Sequence, residues 1–93
     1  MNLHNEILEH EKKVCDAFGC DVLEIRTKKR TDELVFSRAL MYDFLRRKKR
    51  TSIPFIARVY QRDISTIKHS LENLKNLLTT NEYVLEVYNK LNN

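Results

Sequence analysis

The sequence predicts an all-helical fold built around a helix-turn-helix, and three observations carry that prediction. Glycine and proline occur once each in 93 residues, whereas sheet-rich folds depend on both for many tight turns. Apolar residues recur at three- and four-residue spacing along most of the chain, the period of a helix with one buried face. Between residues 52 and 78, a short helical pattern, a three-residue turn and a longer amphipathic pattern succeed one another with the lengths of a helix-turn-helix.

The elements run in order. Residues 2–18 predict a first helix, with Leu3, Ile7, Val14 and Phe18 at helical spacing, Leu8 and Ala17 beside them, and His10 and Glu11 interrupting the stripe. Gly19 suits the left-handed stop after a helix. Asp21 is placed to cap a short turn over 22–25, with Glu24 where a capping box would have it. Residues 26–30 (Arg-Thr-Lys-Lys-Arg) come next as a basic loop. Thr31 then caps a helix running to about Arg47, with Asp32 and Glu33 at the positive end of its dipole. Leu34, Val35, Ala39, Met41, Tyr42 and Leu45 make its apolar stripe, and Arg46, Arg47 and Lys48 close it.

Residues 49–51 form a second basic loop. Ser52 caps a short helix with Pro54 in its first turn, where a missing N–H costs little. Residues 61–63 (Gln-Arg-Asp) make the turn, and Asp63 caps a helix to about Leu78 whose Ile67, Leu71, Leu74 and Leu78 draw the clearest stripe in the chain. Residues 79–81 are a polar break, and Asn81 caps a last helix facing inward with Val84, Val87, Tyr88 and Leu91.

Composition narrows the function. Hydrophobic residues make up 42% of the chain, which suits one folded domain over 1–93 rather than a disordered tail. Lys and Arg number 17 against 13 Asp and Glu, a net charge of +4. That excess is modest, so placement matters more than the sum. The runs 26–30 and 46–50 concentrate the cations, and the acids lie mainly in 6–33 and 72–86. No apolar run approaches the ~18 residues a membrane span needs and no signal peptide is visible, so a cytoplasmic protein is expected.

Cys15 and Cys20 match no C-x-x-C motif and read as thiols in a reducing compartment. His4, His10 and His69 are too scattered for a metal site, and no cofactor is expected. No nucleophile–base pairing or paired carboxylates stand out, so neither an enzyme nor a small-molecule substrate is predicted. Tyr42, Tyr60, Tyr83 and Tyr88 fall on apolar stripes and read as core, which argues against a single-strand binder with its exposed aromatic platforms.

A helix-turn-helix places the start of its second helix in the major groove. The residues there are Asp63, Ile64, Ser65, Thr66 and Lys68. Hydroxyls bond base edges or phosphates, an aliphatic chain touches a thymine methyl, and a lysine reaches a phosphate or a guanine. Two packed helices with a short turn also occur in bundles that bind nothing, so the pattern leaves that reading open.

The residues themselves narrow it. Ser-Ile-Pro-Phe-Ile-Ala-Arg-Val-Tyr-Gln-Arg-Asp-Ile-Ser-Thr-Ile-Lys-His (52–69) resembles the C-terminal DNA-binding domain of the DnaA replication initiators, where Ser-x-Pro-x-Ile-Gly precedes Arg-Asp-His-Ser/Thr-Thr-Val. Lys-Lys-Arg-x(7)-Arg-x(3)-Tyr (28–42) is similar to that family's basic loop and the helix after it, and 14–25 to its first helix and short turn. The resemblance covers roughly 10–78 and implies an all-α, Trp-repressor-like fold that reads a short duplex box.

Carried over by residue, the resemblance implies that Arg30 enters the minor groove, whose negative potential in A·T-rich DNA attracts arginine. It implies that Pro54, Asp63, Ile64 and Ser65 face bases. Thr66, Lys28, Lys29, Arg38 and His69 would contact or approach phosphates, and Arg62 would hold the turn against the backbone. For Arg38 a structural ion pair, for instance with Asp63, stands as an equal alternative.

Two departures matter. Ile64 replaces the family's histidine, which removes a hydrogen bond and keeps a thymine-methyl contact. Gln61 replaces the usual Gly-Gly, which shortens the turn. A Gly-x-x-x-x-Gly-Lys-Ser/Thr loop needs two glycines and the chain has one, so ATP binding by that route and origin melting alone are not expected. The chain is therefore expected to be a free-standing relative or an excised domain, acting in replication initiation or its regulation. The alternatives are a transcription regulator or mobile-element protein using the same domain, or a protein-interaction module that binds a partner or self-associates through 71–91.

Overall fold

A computed structural model describes residues 2–92. Helix α1 spans Leu3–Phe18, a short 3₁₀ turn Val22–Glu24, α2 Asp32–Asp43, α3 Ile53–Tyr60, α4 Ile64–Thr80 and α5 Glu82–Leu91. Among the described residues there is no strand. Helix α2 lies between α1 and α4, α3 packs on α4, and α5 closes against α4 and α1.

Local chemistry sets most of the boundaries. Gly19 ends α1 at φ +74° with its N–H on the Cys15 carbonyl, the left-handed stop that glycine adopts without steric cost. Thr31, Ser52 and Asn81 cap α2, α3 and α5, each accepting from the backbone N–H three residues on. Asn2 does the same for α1.

Four expectations are corrected. Asp21 accepts from Leu23 N, and the Glu24 carboxylate turns to Lys29, so an Asx turn forms in place of the capping box. The second helix does not run as an α-helix to Arg47; beyond Asp43 it widens into a π-helical turn, Phe44–Lys48. Helix α4 continues through the expected polar break to Thr80, whose hydroxyl, like that of Thr79, donates to the Asn76 carbonyl. Tyr83 is not core but 53% exposed, resting edge-on against Phe18 with its hydroxyl donating to the Ala17 carbonyl.

Helix α2 buries eight of its twelve residues, Arg38 and Asp43 included, so it is packed all round rather than along one stripe. The interruption of the α1 stripe is likewise buried. Glu11 is 2% exposed, accepts from the Tyr60 hydroxyl at 2.7 Å and pairs with Arg26 at 3.3 Å. A buried carboxylate is tolerated when its oxygens are bonded in this way. His10 stacks on Phe44 with ring centroids 3.8 Å apart. Burial first, then the charges of Lys13, Lys48 and Lys49, push its pKa down to about 4, so the ring is neutral at physiological pH. Cys15 is buried and Cys20 half-buried, both as free thiols, and burial first, then Cys20, pushes the Cys15 thiol up to about 12.

Candidate nucleic-acid interface

The turn between α3 and α4 is built on one left-handed residue. Gln61 adopts φ +52°, ψ 51°, and Arg62 N reaches back to the Ala57 carbonyl at 2.9 Å, which closes α3 without glycine. Asp63 then enters α4 in an extended conformation, but its carboxylate makes no capping hydrogen bond. The expected cap is absent, and this end keeps an uncommitted carboxylate beside free backbone N–H groups. Ile64, Ser65, Thr66, Lys68 and His69 are exposed, while Ile67 between them is fully buried and holds the helix start down. Pro54, in the first turn of α3, is also exposed.

The basic loop is pinned at several points. The Thr27 hydroxyl donates to the Glu24 carbonyl at 2.7 Å and accepts from Lys29 N. From α2, Arg38 Nε donates to the Ile25 carbonyl at 2.8 Å, and its Nη2 donates to the carbonyls of Glu24 at 3.2 Å and Thr27 at 2.7 Å. Arg62, from the turn before α4, donates to the same Thr27 carbonyl. At the loop's start Arg26 is held by Glu11 and lies over the Tyr60 ring.

These bonds sort the loop's cations. Lys29 pairs with Glu24 at 2.8 Å, and that hydrogen bond and charge raise its pKa. Among the described residues, Lys28 and Arg30 have no ion-pair partner. Both line a cleft of about 540 Å³ together with Arg38, Arg62, Thr66 and His69. The loop and the start of α4 therefore share one face. Among the described residues no carboxylate lines that cleft. Burial first, then the neighbouring charge of Arg62, lowers the Arg38 pKa.

The geometry gives Arg38 a different part from either expectation. It is 6% exposed and committed to three carbonyls, so it braces the loop from inside instead of presenting a free guanidinium to phosphate. The alternative pair with Asp63 does not form among the described residues. Lys68 stands apart from the cleft, on the opposite flank of α4, where it rims a shallow groove with Arg46 over Ile53, Leu71 and Leu78.

The family model described as the bacterial dnaA protein helix-turn-helix matches residues 9–74. The chain belongs to this family. No curated protein matches it.

The match takes in the basic loop, α2, α3 and the N-terminal part of α4, and stops inside α4. A dnaA-type helix-turn-helix is a DNA-binding fold tied to replication initiation, not a catalytic one. Among the described residues, no group of His, Cys, Asp and Glu could hold a metal ion, and no helix is long and apolar enough to cross a membrane. Sequence reasoning missed two groups that hold the basic loop in place, Glu11 and the Thr27 carbonyl. The only visible signal for Glu11 was an acid breaking an apolar stripe; a backbone carbonyl gives none.

Proposed function

We propose that the chain binds a short duplex site sequence-specifically, with the start of α4 in the major groove and Arg30 in the adjacent minor groove. The observation that carries this reading is the cleft where Lys28 and Arg30, without an ion-pair partner among the described residues, meet Arg62, Thr66 and His69 on one face. Phosphates balance that charge. Asp63, with no cap bond, accepts from a cytosine or adenine amino group, and Ile64, 44% exposed, packs on a thymine methyl. Ser65 and Pro54 face neighbouring bases, Thr66, His69, Lys28 and Lys29 serve the phosphates, and Lys68 approaches the backbone from the other flank.

The biological setting is replication initiation or its regulation, in the cytoplasm, with 1–93 as one domain. A transcription or mobile-element role would use the same contacts. Selection of bound duplexes from a random pool supplies the site. On it, Arg30→Ala and Thr66→Ala should each cost ~1–3 kcal/mol, and affinity should fall with roughly the fifth power of salt concentration. Unchanged affinity for both variants in a titration would remove this assignment. Dimerisation without any salt-sensitive duplex binding would favour the interaction-module reading instead.

A further inference from the structure

Lys28 and Arg30 sit in a loop, while Ser65 and Thr66 sit on a helix far along the chain. For one protein to read two grooves at once, these parts must keep a fixed phase. Arg26, through Glu11 and the Tyr60 ring, ties the loop's start to the end of α3, and the link nearest Lys28 and Arg30 is the Thr27 carbonyl oxygen. It accepts from Arg38 at 2.7 Å and from Arg62, 35 positions away in sequence.

The arrangement is costly unless it does something. Two guanidiniums repel when brought together, and each would find a carboxylate a stronger acceptor than a carbonyl. Yet neither has an acidic partner within ion-pair distance among the described residues. Arg62 belongs to the turn that aims α4, and Arg38 to the central helix. A planar fork with several donors suits bridging of this kind better than a lysine's point charge.

We infer that Arg62, with Arg38 behind it, is a positioning residue that sets the phase between the minor-groove loop and the major-groove helix. The inference rests on the minor-groove reading of Arg30. Arg62 itself touches no base, yet preference for the base pairs under the loop depends on it. The loop is already in place before DNA arrives, so binding costs little ordering entropy there. When the bridge is cut, Arg30 must be ordered on the DNA and loses most of its contribution.

A double-mutant cycle on the full chain tests this, with wild type, Arg30→Ala, Arg62→Met and the double variant. Each is titrated against the selected site and against the same site with the A·T pairs under the loop changed to G·C. Arg30→Ala should weaken binding roughly tenfold or more and erase the A·T preference. Arg62→Met should do the same while preferences under α4 persist, and the double variant should be little weaker than the weaker single. In free Arg62→Met, exchange of the hydrogen-bonded loop amides of Thr27 and Lys29 should accelerate while α2 and α4 stay protected.

Losses that multiply in the double variant, or an A·T preference that survives Arg62→Met, would overturn the inference and make Arg62 an independent contact or a general stabiliser. Unchanged loop exchange would overturn it too, as would exchange accelerated throughout the molecule. If instead wild type has no A·T preference and Arg30→Ala costs nothing, the minor-groove reading itself is wrong and the inference falls with it.

Discussion

The chain has two basic segments of equal length, 26–30 with four cations and 46–50 with five, and they come to opposite ends. The first, though less charged, is folded onto itself and bridged to α2 and to the turn before α4, so that Lys28 and Arg30 are held over the cleft beside Thr66. The second lies on a π-helical turn and its edge, and its charges scatter. Arg46 donates to the Thr51 carbonyl, Arg47 pairs with Asp43 and bonds Tyr88, and Lys49 crosses to Glu6 on α1. Charge density alone does not decide which way a segment's cations face; the bracing of its backbone does.

The largest expected effect breaks that comparison directly. Reversing Lys28 and Arg30 together to Glu should weaken binding to the selected duplex by roughly a hundredfold or more, since two attractive contacts become repulsive. The same reversal at Lys48 and Arg50 should cost about threefold at low salt and less as salt rises, as for general field effects. Anisotropy titrations of both pairs decide it; equal losses would mean that the bracing of the first segment is irrelevant.

A smaller effect concerns what the second segment does. His10 of α1 sits on Phe44 with Lys48 and Lys49 nearby, which ties that segment to the fold. Its folded pKa, about 4, lies below the ~6.5 of an unfolded histidine, so the stability it confers is complete above pH ~6.5 and lost as pH falls toward 4. After discounting for partial solvent exposure, urea unfolding should show a loss of about 1–2 kcal/mol across that window. His10→Phe should flatten it, and an unaltered pH profile in that variant would count against the stack.

The smallest effect sharpens the contrast. Arg50 holds a left-handed conformation at φ +53°, which strains a residue with a Cβ by about 1 kcal/mol. Arg50→Gly should raise stability by up to about that amount and leave affinity for the selected duplex within about threefold. A thermal melt and one titration measure both. A large loss of affinity would place Arg50 on the DNA.

Much of the fold was legible because helix ends are local chemistry. Gly19, Thr31, Ser52 and Asn81 act within a turn of their own positions, and the Ile67–Leu74 stripe needs nothing but period. Asp63 shows the limit: the right residue stands at the cap position, and its side chain is left free. The all-round burial of α2 was not legible from a stripe, because α1, α4 and the basic loop all pack on it. At the site, exposure of 64–66 and the shared face with 28–30 came from pattern and resemblance. The part played by Arg38 did not, because its partners are carbonyls, which every residue has. In the sequence Glu11 reads as a flaw in α1, since its partners Arg26 and Tyr60 are brought to it only by the tertiary fold.

Asn81 leaves the end of the chain with no slack. Its N–H finishes α4 on the Leu77 carbonyl while its side chain starts α5 by accepting from Val84 N, so one amino acid is the whole hinge. Each residue of helix rotates the next by about 100°. Deleting or inserting a single codon here would spin Val84 and Val87 away from the interior and bring charged neighbours in. This corner therefore tolerates an exchanged side chain far better than a changed length.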